Sequence, residues 1–265
     1  MPPTADPAAV RTILRMDRAW AVYALADLEP AYRDHARWHI AADGRPALLL
    51  VYRGFRLPVL FAQGAAEDLA PLLAEAASEP RFYLSVRPEV ILLLRAAGYE
   101  IPDAKRMWRM VLDPHAFAPI GHRAVRLGPA DEAELASLYA DGEAVGEAPP
   151  FFEPGMLRHG VYYGVREGGA IVAAGGTHVL AEQESVAAIG NVYTRGDCRR
   201  RGWGSQVTSA VAGELLMRGV RLVVLNVAEE NAAARRVYER LGFREYCEYR
   251  EGLALRRPSA DKAGR

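Results

Sequence analysis

Cysteine is scarce: Cys198 and Cys247 are the only two in 265 residues. A disulfide-held secreted domain would need more, so a reducing, cytoplasmic setting is expected. Net charge is absent as well, with 33 basic residues balancing 33 acidic ones. No overall field gathers DNA, RNA or an anionic membrane, so any basic site must be local. No stretch reaches the roughly 18 apolar residues of a membrane span. The opening "MPPTADPAAV" lacks a basic segment followed by an apolar run, and no signal peptide is expected. What is present, 51% apolar and 25% charged residues, suits a globular protein of one large domain or two ordinary ones.

Periodicity and turn residues order the chain into two halves. In the first, a helix is expected from Pro7 to Leu28, then strands "ARWHIAA", "ALLLVYRG" and "FRLPVLFA", the last interrupted by Pro58. Helix "AEDLAPLLAEAA", strand "RFYLSV", helix "PEVILLLRAAG" and strand "KRMWRMVLD" complete it. Residues 113–121, with two prolines and a glycine, read as a linker. The second half offers strand "HRAVRL", helix "PADEAELASLYA", an irregular stretch over 141–155 and a hairpin turning at Glu167-Gly168-Gly169. Strand "SVAAIGNVYT", a helix from Ser205 to Arg218, strand "VRLVVLNVA", a helix from Asn231 to Leu241 and a closing strand follow. "LLLRAAGYE" (92–100) echoes "VYERLGFRE" (237–245), which suggests two similar β/α halves. The fold class expected is α/β with a mixed sheet.

One loop stands out. "CRRRGWGSQ" (198–206) sets Arg199, Arg200 and Arg201 beside Gly202 and Gly204, between a strand and a helix. The first amides of a helix have no internal partner, and the helix dipole adds partial positive charge there. Glycines let an anion approach the main chain, and arginines add charge-assisted bonds. A solvated charge run is the plainer alternative. The loop has no Walker lysine, and Val207 stands where the dinucleotide fingerprint needs its third glycine. A second motif, "NAAARRVYERLGF" (231–243), puts Asn231 and Tyr238 seven apart on one helix edge, beside an apolar stripe of Ala234, Val237 and Leu241.

Together the motifs resemble the GNAT superfamily of acyl-CoA-dependent N-acyltransferases. Its pyrophosphate loop reads Arg/Gln-x-x-Gly-x-Gly/Ala; here stand Arg199, Gly202 and Gly204 after the strand Val192-Tyr193-Thr194. Its later motif is matched by Asn231, Ala234, Val237, Tyr238, Gly242 and Phe243. The resemblance implies a GNAT-like fold in residues 118–265 as the catalytic domain, with residues 1–117 a degenerate copy or a cap. It implies acetyl-CoA as cosubstrate and an amine acceptor. The backbone of Val192, Tyr193 and Thr194 would meet the pantetheine, residues Arg199, Arg200, Arg201, Gly202, Trp203, Gly204 and Ser205 the pyrophosphate, and Asn231 either. Tyr238 would be the general acid, and an N–H at Asn191 or Val192 would polarise the thioester carbonyl. No metal is expected.

The general base stays open. Some family members carry a glutamate on the strand before the loop, whereas "VAAIGNVYT" has no acid. Glu184 lies at or before the strand's start; Glu153, His178 or an ordered water are the alternatives. Cys198 sits beside the cationic loop, which could lower its pKa; direct transfer needs no covalent intermediate. Glu67 and Asp68 stand where a pyrophosphate site in the first half would need cations. Phe151 and Phe152 could line the acceptor pocket or simply pack. A non-catalytic acyl-CoA binder is the alternative function, and a nucleic-acid module is disfavoured by the charge balance.

Overall fold

The computed structural model describes residues 5–76, 79–144, 149 and 152–257. The first elements are α1 (Pro7–Leu14), α2 (Val22–Ala26), β1 (Ala36–Ile40), β2 (Leu48–Tyr52), β3 (Val59–Gln63), α3 (Ala66–Ala76), β4 (Arg81–Val86), α4 (Pro88–Ala96), β5 (Tyr99–Glu100) and β6 (Ala104–Leu112). Then come β7 (Val125–Leu127), α5 (Glu132–Ala144), α6 (Pro154–His159), β8 (Tyr162–Glu167), β9 (Ala170–Ala181), β10 (Val186–Thr194), α7 (Trp203–Met217), β11 (Leu222–Ala228), α8 (Ala232–Arg240) and β12 (Phe243–Arg256). No helix among the described residues is long and apolar enough to cross a membrane.

The chain forms two compact units: residues 1–108 with 247–265, and residues 109–246. The division falls inside β6 and β12 and not at the segment 113–121 expected to be a linker. That segment is bonded within the second unit instead. Asp113 N–H donates to Gly242 O at 3.0 Å, Ile120 N–H to Ser209 Oγ at 2.9 Å and Arg123 N–H to Gln206 Oε1 at 3.3 Å. Its prolines and glycine shape a strap along α7, a role that composition alone does not separate from a free connector.

In the first unit the strand order is β1-β2-β3-β4-β12. β2 reads Leu-Leu-Leu-Val-Tyr and is buried throughout, the pattern of a strand covered on both faces. Leu69, Leu72, Leu73 and Ala76 repeat at helical spacing on α3 and enter the same core as Leu84, Leu94 and Tyr99. The expected helix Pro7–Leu28 is broken into α1 and α2. Asp17 accepts the Trp20 N–H at 3.1 Å, and Trp20 turns fully inward to donate its indole N–H to Ala62 O at 2.9 Å. A buried tertiary bond of this kind outweighs local helical periodicity.

In the second unit the order is β11-β10-β9-β8-β7. β8 and β9 form the expected hairpin, turning through Gly168 and Gly169 at φ 59° and 89°, as a two-residue turn with both φ values positive requires. One apolar cluster joins α5 and α6 to the sheet through Leu135, Leu138, Leu157 and Tyr162; another joins α7 through Val165, Val172, Trp203 and Val207. The two halves echo one another as the repeat suggests. β3 pairs in parallel with β4 over Val59–Phe61, and β10 with β11 over Val186–Ile189, each with one helix between. Each following helix ends at a positive-φ glycine, Gly98 at 88° and Gly242 at 100°.

Candidate active site

β10 carries the first part of the site. Its parallel ladder to β11 begins at Val186↔Leu222 and ends at Ile189↔Leu225, although both strands continue. The cause lies on the other edge, where the β9–β10 register shifts twice, between Ala188 and Ile189 and between Gly190 and Tyr193. Such bulges bend a strand and re-aim its side chains. Asn191 sits in the second bulge at φ 53°, a conformation that asparagine tolerates better than most residues. The last residues of β10, Val192 to Thr194, therefore lie beyond the ladder to β11.

The arginine–glycine loop follows. Arg195 forks onto Asp197 at 2.6 and 3.0 Å, and its N–H donates to Val172 O at 2.9 Å, which fixes the loop's start. Arg200 and Gly202 take positive φ, 64° and 79°. Gly202 is the N-cap of α7 and brings no side-chain cap bond, so the first-turn amides from Trp203 to Ser205 are left for a ligand or solvent. A Cβ on Gly202 would meet nothing within 4 Å, and one on Gly204 only Thr194 and Val192 at ordinary contact distance. The cap end of α7 is thus open, and the chemistry matches an anion cradle.

The three arginines are not equivalent. Arg199 donates to Thr194 O at 3.0 Å and lies 5.8 Å over the Tyr193 ring. Arg201 pairs with Glu167 at 3.0 Å. Arg200 is exposed, and among the described residues no acid pairs with it. Trp203 packs into the α7 cluster, with the Arg123 guanidinium 4.8 Å over its ring, so its side chain anchors the helix. Tyr193 is buried, and its hydroxyl donates to Asp141 at 3.0 Å, leaving its main chain as the part available to a ligand. Cys198 fits the reading of an ordinary loop residue. Burial pushes its thiol up, and that effect outweighs Arg195 at 3.4 Å, so no activated thiolate forms there.

On α8, Asn231 caps the helix by accepting the Ala234 N–H at 3.1 Å. Tyr238 is buried with its ring 6.1 Å from that of Phe243. Burial pushes its phenol up to about 12, so it is a protonated donor throughout the neutral range. Asn231 is exposed and turned back on its own helix, whereas Tyr238 is buried.

The candidate bases separate clearly. Glu153 is exposed at the start of α6 and makes no side-chain cap bond. Glu184 is buried in the turn before β10, at the end of the strand opposite the loop. His178 lies at the first bulge, with Nε2 2.8 Å from Asn191 Oδ1. The Asn191 amide donates to the Tyr162 hydroxyl at 2.8 Å, and the Tyr139 hydroxyl donates to Asn191 O at 2.8 Å. Burial lowers the His178 pKa below its ordinary value, against the smaller upward pull of Asn191. A Cβ at Gly190 would strike the His178 ring at 2.3 Å, and one at Gly176 the Tyr162 ring at 2.4 Å. Two glycines thus make room for the two rings. Sequence reasoning finds His178 but not Asn191, Tyr162 or Tyr139 as its surroundings; the polar residue after a glycine in an apolar strand is the signal available. It also misses Arg109, fully buried, whose Nε donates to Asn226 Oδ1 at 3.0 Å. Phe152 packs 5.0 Å from Tyr139 and 6.1 Å from Tyr162, beside this network; Phe151 lies outside the described residues.

The first unit shows the corresponding place closed. Only Gly64 and Ala65 separate β3 from α3, in place of an arginine–glycine loop. Trp20 occupies the end of β3 beyond its ladder with β4, bonded to Ala62 O and stacked 5.2 Å from Phe61. Asp68 in the first turn of α3 pairs with Arg45.

Known proteins resemble this chain in sequence and fold. Residues 162–251, from β8 to β12, match the family described as FR47-like protein. A mycothiol acetyltransferase of Thermobispora bispora is 33% identical over 56% of this chain and 57% of its own length. The chain thus spans little more than half of that curated relative. Among solved structures, a GCN5-related N-acetyltransferase from Kribbella flavida has a TM-score of 0.59 at 18% identity, covering 95% of this chain and 96% of its own. Another from Sphaerobacter thermophilus has 0.56 at 20%, covering 97% and 95%. A tandem GNAT protein from the clavulanic acid biosynthesis pathway has 0.59 at 15%, covering 94% and 96%. The fold is that of the GNAT proteins, over both halves. With the loop and the Asn231–Phe243 motif in their places, the chain is similar to the GNAT proteins in fold, and its residues 162–251 to the FR47-like family.

Proposed function

We propose that the protein is an N-acetyltransferase that moves the acetyl group of acetyl-CoA to an amine by direct attack. One arrangement carries the reading: a strand released from its parallel neighbour at Ile189 leads into an α7 whose N-terminus has no side-chain cap. Main-chain groups of Val192, Tyr193 and Thr194 would pair with the pantetheine arm. The amides from Arg200 to Ser205, helped by the Arg200 side chain, would hold the pyrophosphate, and the exposed Asn231 lies at the start of the neighbouring helix to assist. The cosubstrate supplies the activated acyl carbon and a thiolate leaving group. An amide of the bulge, at Asn191 or Val192, would stabilise negative charge on the acyl oxygen.

His178 would take the proton that the attacking amine loses as its nitrogen bonds to the acyl carbon. Tyr238 would donate a hydrogen bond to sulfur as the carbon–sulfur bond breaks, and the amine's proton ends on the thiol. Burial suits both groups to these tasks, keeping His178 neutral and Tyr238 protonated near pH 7. The scarcity of cysteine, with both thiols free, fits a cytoplasmic enzyme. The name of the Thermobispora bispora relative supports acetyl transfer. Thiol release with acetyl-CoA and a panel of amines tests the proposal. Turnover with at least one amine is expected, and Tyr238→Phe should lower kcat by about 100-fold while leaving the KM for acetyl-CoA within about twofold. Acetyl-CoA binding with no thiol release from any amine class would contradict it.

A further inference from the structure

The base assigned above does not stand alone at the bulge. Asn191 reaches His178 with one end of its amide and Tyr162 with the other, both at 2.8 Å. The Met156 sulfur lies 3.6 Å from Asn191 Nδ2 and 3.7 Å from the Tyr162 hydroxyl. A thioether can only accept, so the nitrogen of the amide belongs on the Met156–Tyr162 side and its oxygen on the His178 side. An oxygen facing Nε2 requires a proton on Nε2. The neutral ring then carries its basic lone pair on Nδ1.

We infer that Asn191 and Tyr162 are positioning residues which fix His178 as its Nε2–H tautomer and so present Nδ1 as the proton acceptor. The inference rests on His178 being the base. The backbone supports it: Asn191 holds φ 53°, and the Tyr139 hydroxyl clamps its carbonyl. Glycines at 176 and 190 leave both rings their space. Where other GNAT proteins carry a strand glutamate, this chain would use an amide to orient an imidazole on the neighbouring strand. The titratable groups gathered here from β8 and α5 are the Tyr162 and Tyr139 phenols, both held protonated by burial. The influences on the His178 titration are its burial and the Asn191 bond. Charging the half-buried ring is disfavoured, so the acid limb of kcat should lie below the ordinary imidazole value of about 6.5.

Asn191→Gly tests the inference, because glycine keeps the positive φ and removes only the amide. Tyr162→Phe is the second variant, keeping the ring and its packing. Imidazole ¹⁵N shifts should show Nε2 protonated in the native protein. They should move toward a mixture of tautomers in Asn191→Gly, with kcat down about 10- to 100-fold and an unchanged KM for acetyl-CoA. Tyr162→Phe should show the same change in smaller degree. A native Nδ1–H tautomer, or variants with native kcat and tautomer, would overturn the positioning role. His178→Gln separates this from the reading beneath it. If that variant keeps native kcat and acid limb, His178 is not the base; if it loses both while the Asn191 and Tyr162 variants keep them, only the positioning role fails.

Discussion

At the scale of single residues, the charged run at 199–201 resolves into unequal parts. Arg199 is tied to the strand's end and Arg201 to Glu167, which leaves Arg200 to meet a diphosphate. Arg200→Ala should therefore weaken coenzyme A binding about tenfold and flatten its salt dependence, as loss of one charge-assisted contact predicts. Arg201→Ala should change the affinity less than threefold, since it removes an exposed ion pair worth little on its own. Calorimetric titrations of the two variants at two ionic strengths check the contrast, and equal losses would contradict it. Residue identity in the sequence shows the three arginines but not which are already committed. Glu167, the partner of Arg201, lies a hairpin away, and such partners become visible only once the strands are paired. The same holds for Cys198, where proximity to cations suggests activation and burial decides against it.

At the scale of elements, the site depends on two bulges that no periodicity announces. Strands β8 to β11, helices α7 and α8 and their order are legible, because alternation, caps and glycine stops are local signals. The register shifts lie where the His178 and Tyr162 rings cross Gly190 and Gly176, cross-strand contacts that the sequence alone does not reveal. The same limit explains the misread helix over 7–28, broken by a bond from Trp20 to a strand about 40 residues away. Gly190 tests how tightly the bulge is built. Gly190→Ala puts a Cβ 2.3 Å from the His178 ring, so the ring or the strand must shift. A fall in kcat of about 100-fold is expected, with a loss of stability of about 1–3 kcal/mol, as in other overpacked sites. Steady-state kinetics with urea unfolding measure both; native kcat in that variant would show that the ring's position does not matter.

At the scale of the whole molecule, the sequence repeat and the paired β/α halves describe a duplicated architecture in which one copy is closed. The arginine–glycine loop is absent between β3 and α3, Glu67 and Asp68 stand in the first turn of α3, and Trp20 fills the end of β3. We propose that each chain therefore binds one coenzyme A, through residues 109–246. The closed copy was partly legible, since the acids at 67 and 68 argue against an anion; the tryptophan plug was not. The central claim is that main-chain amides at the start of α7 hold the diphosphate. Its most direct test is the titration of coenzyme A into ¹⁵N-labelled protein, followed by amide shifts. The account predicts one binding event, with the largest shifts at residues 200–205 and none at 64–68. Silence across 200–205 at saturating coenzyme A, or equal responses at 64–68, would contradict it.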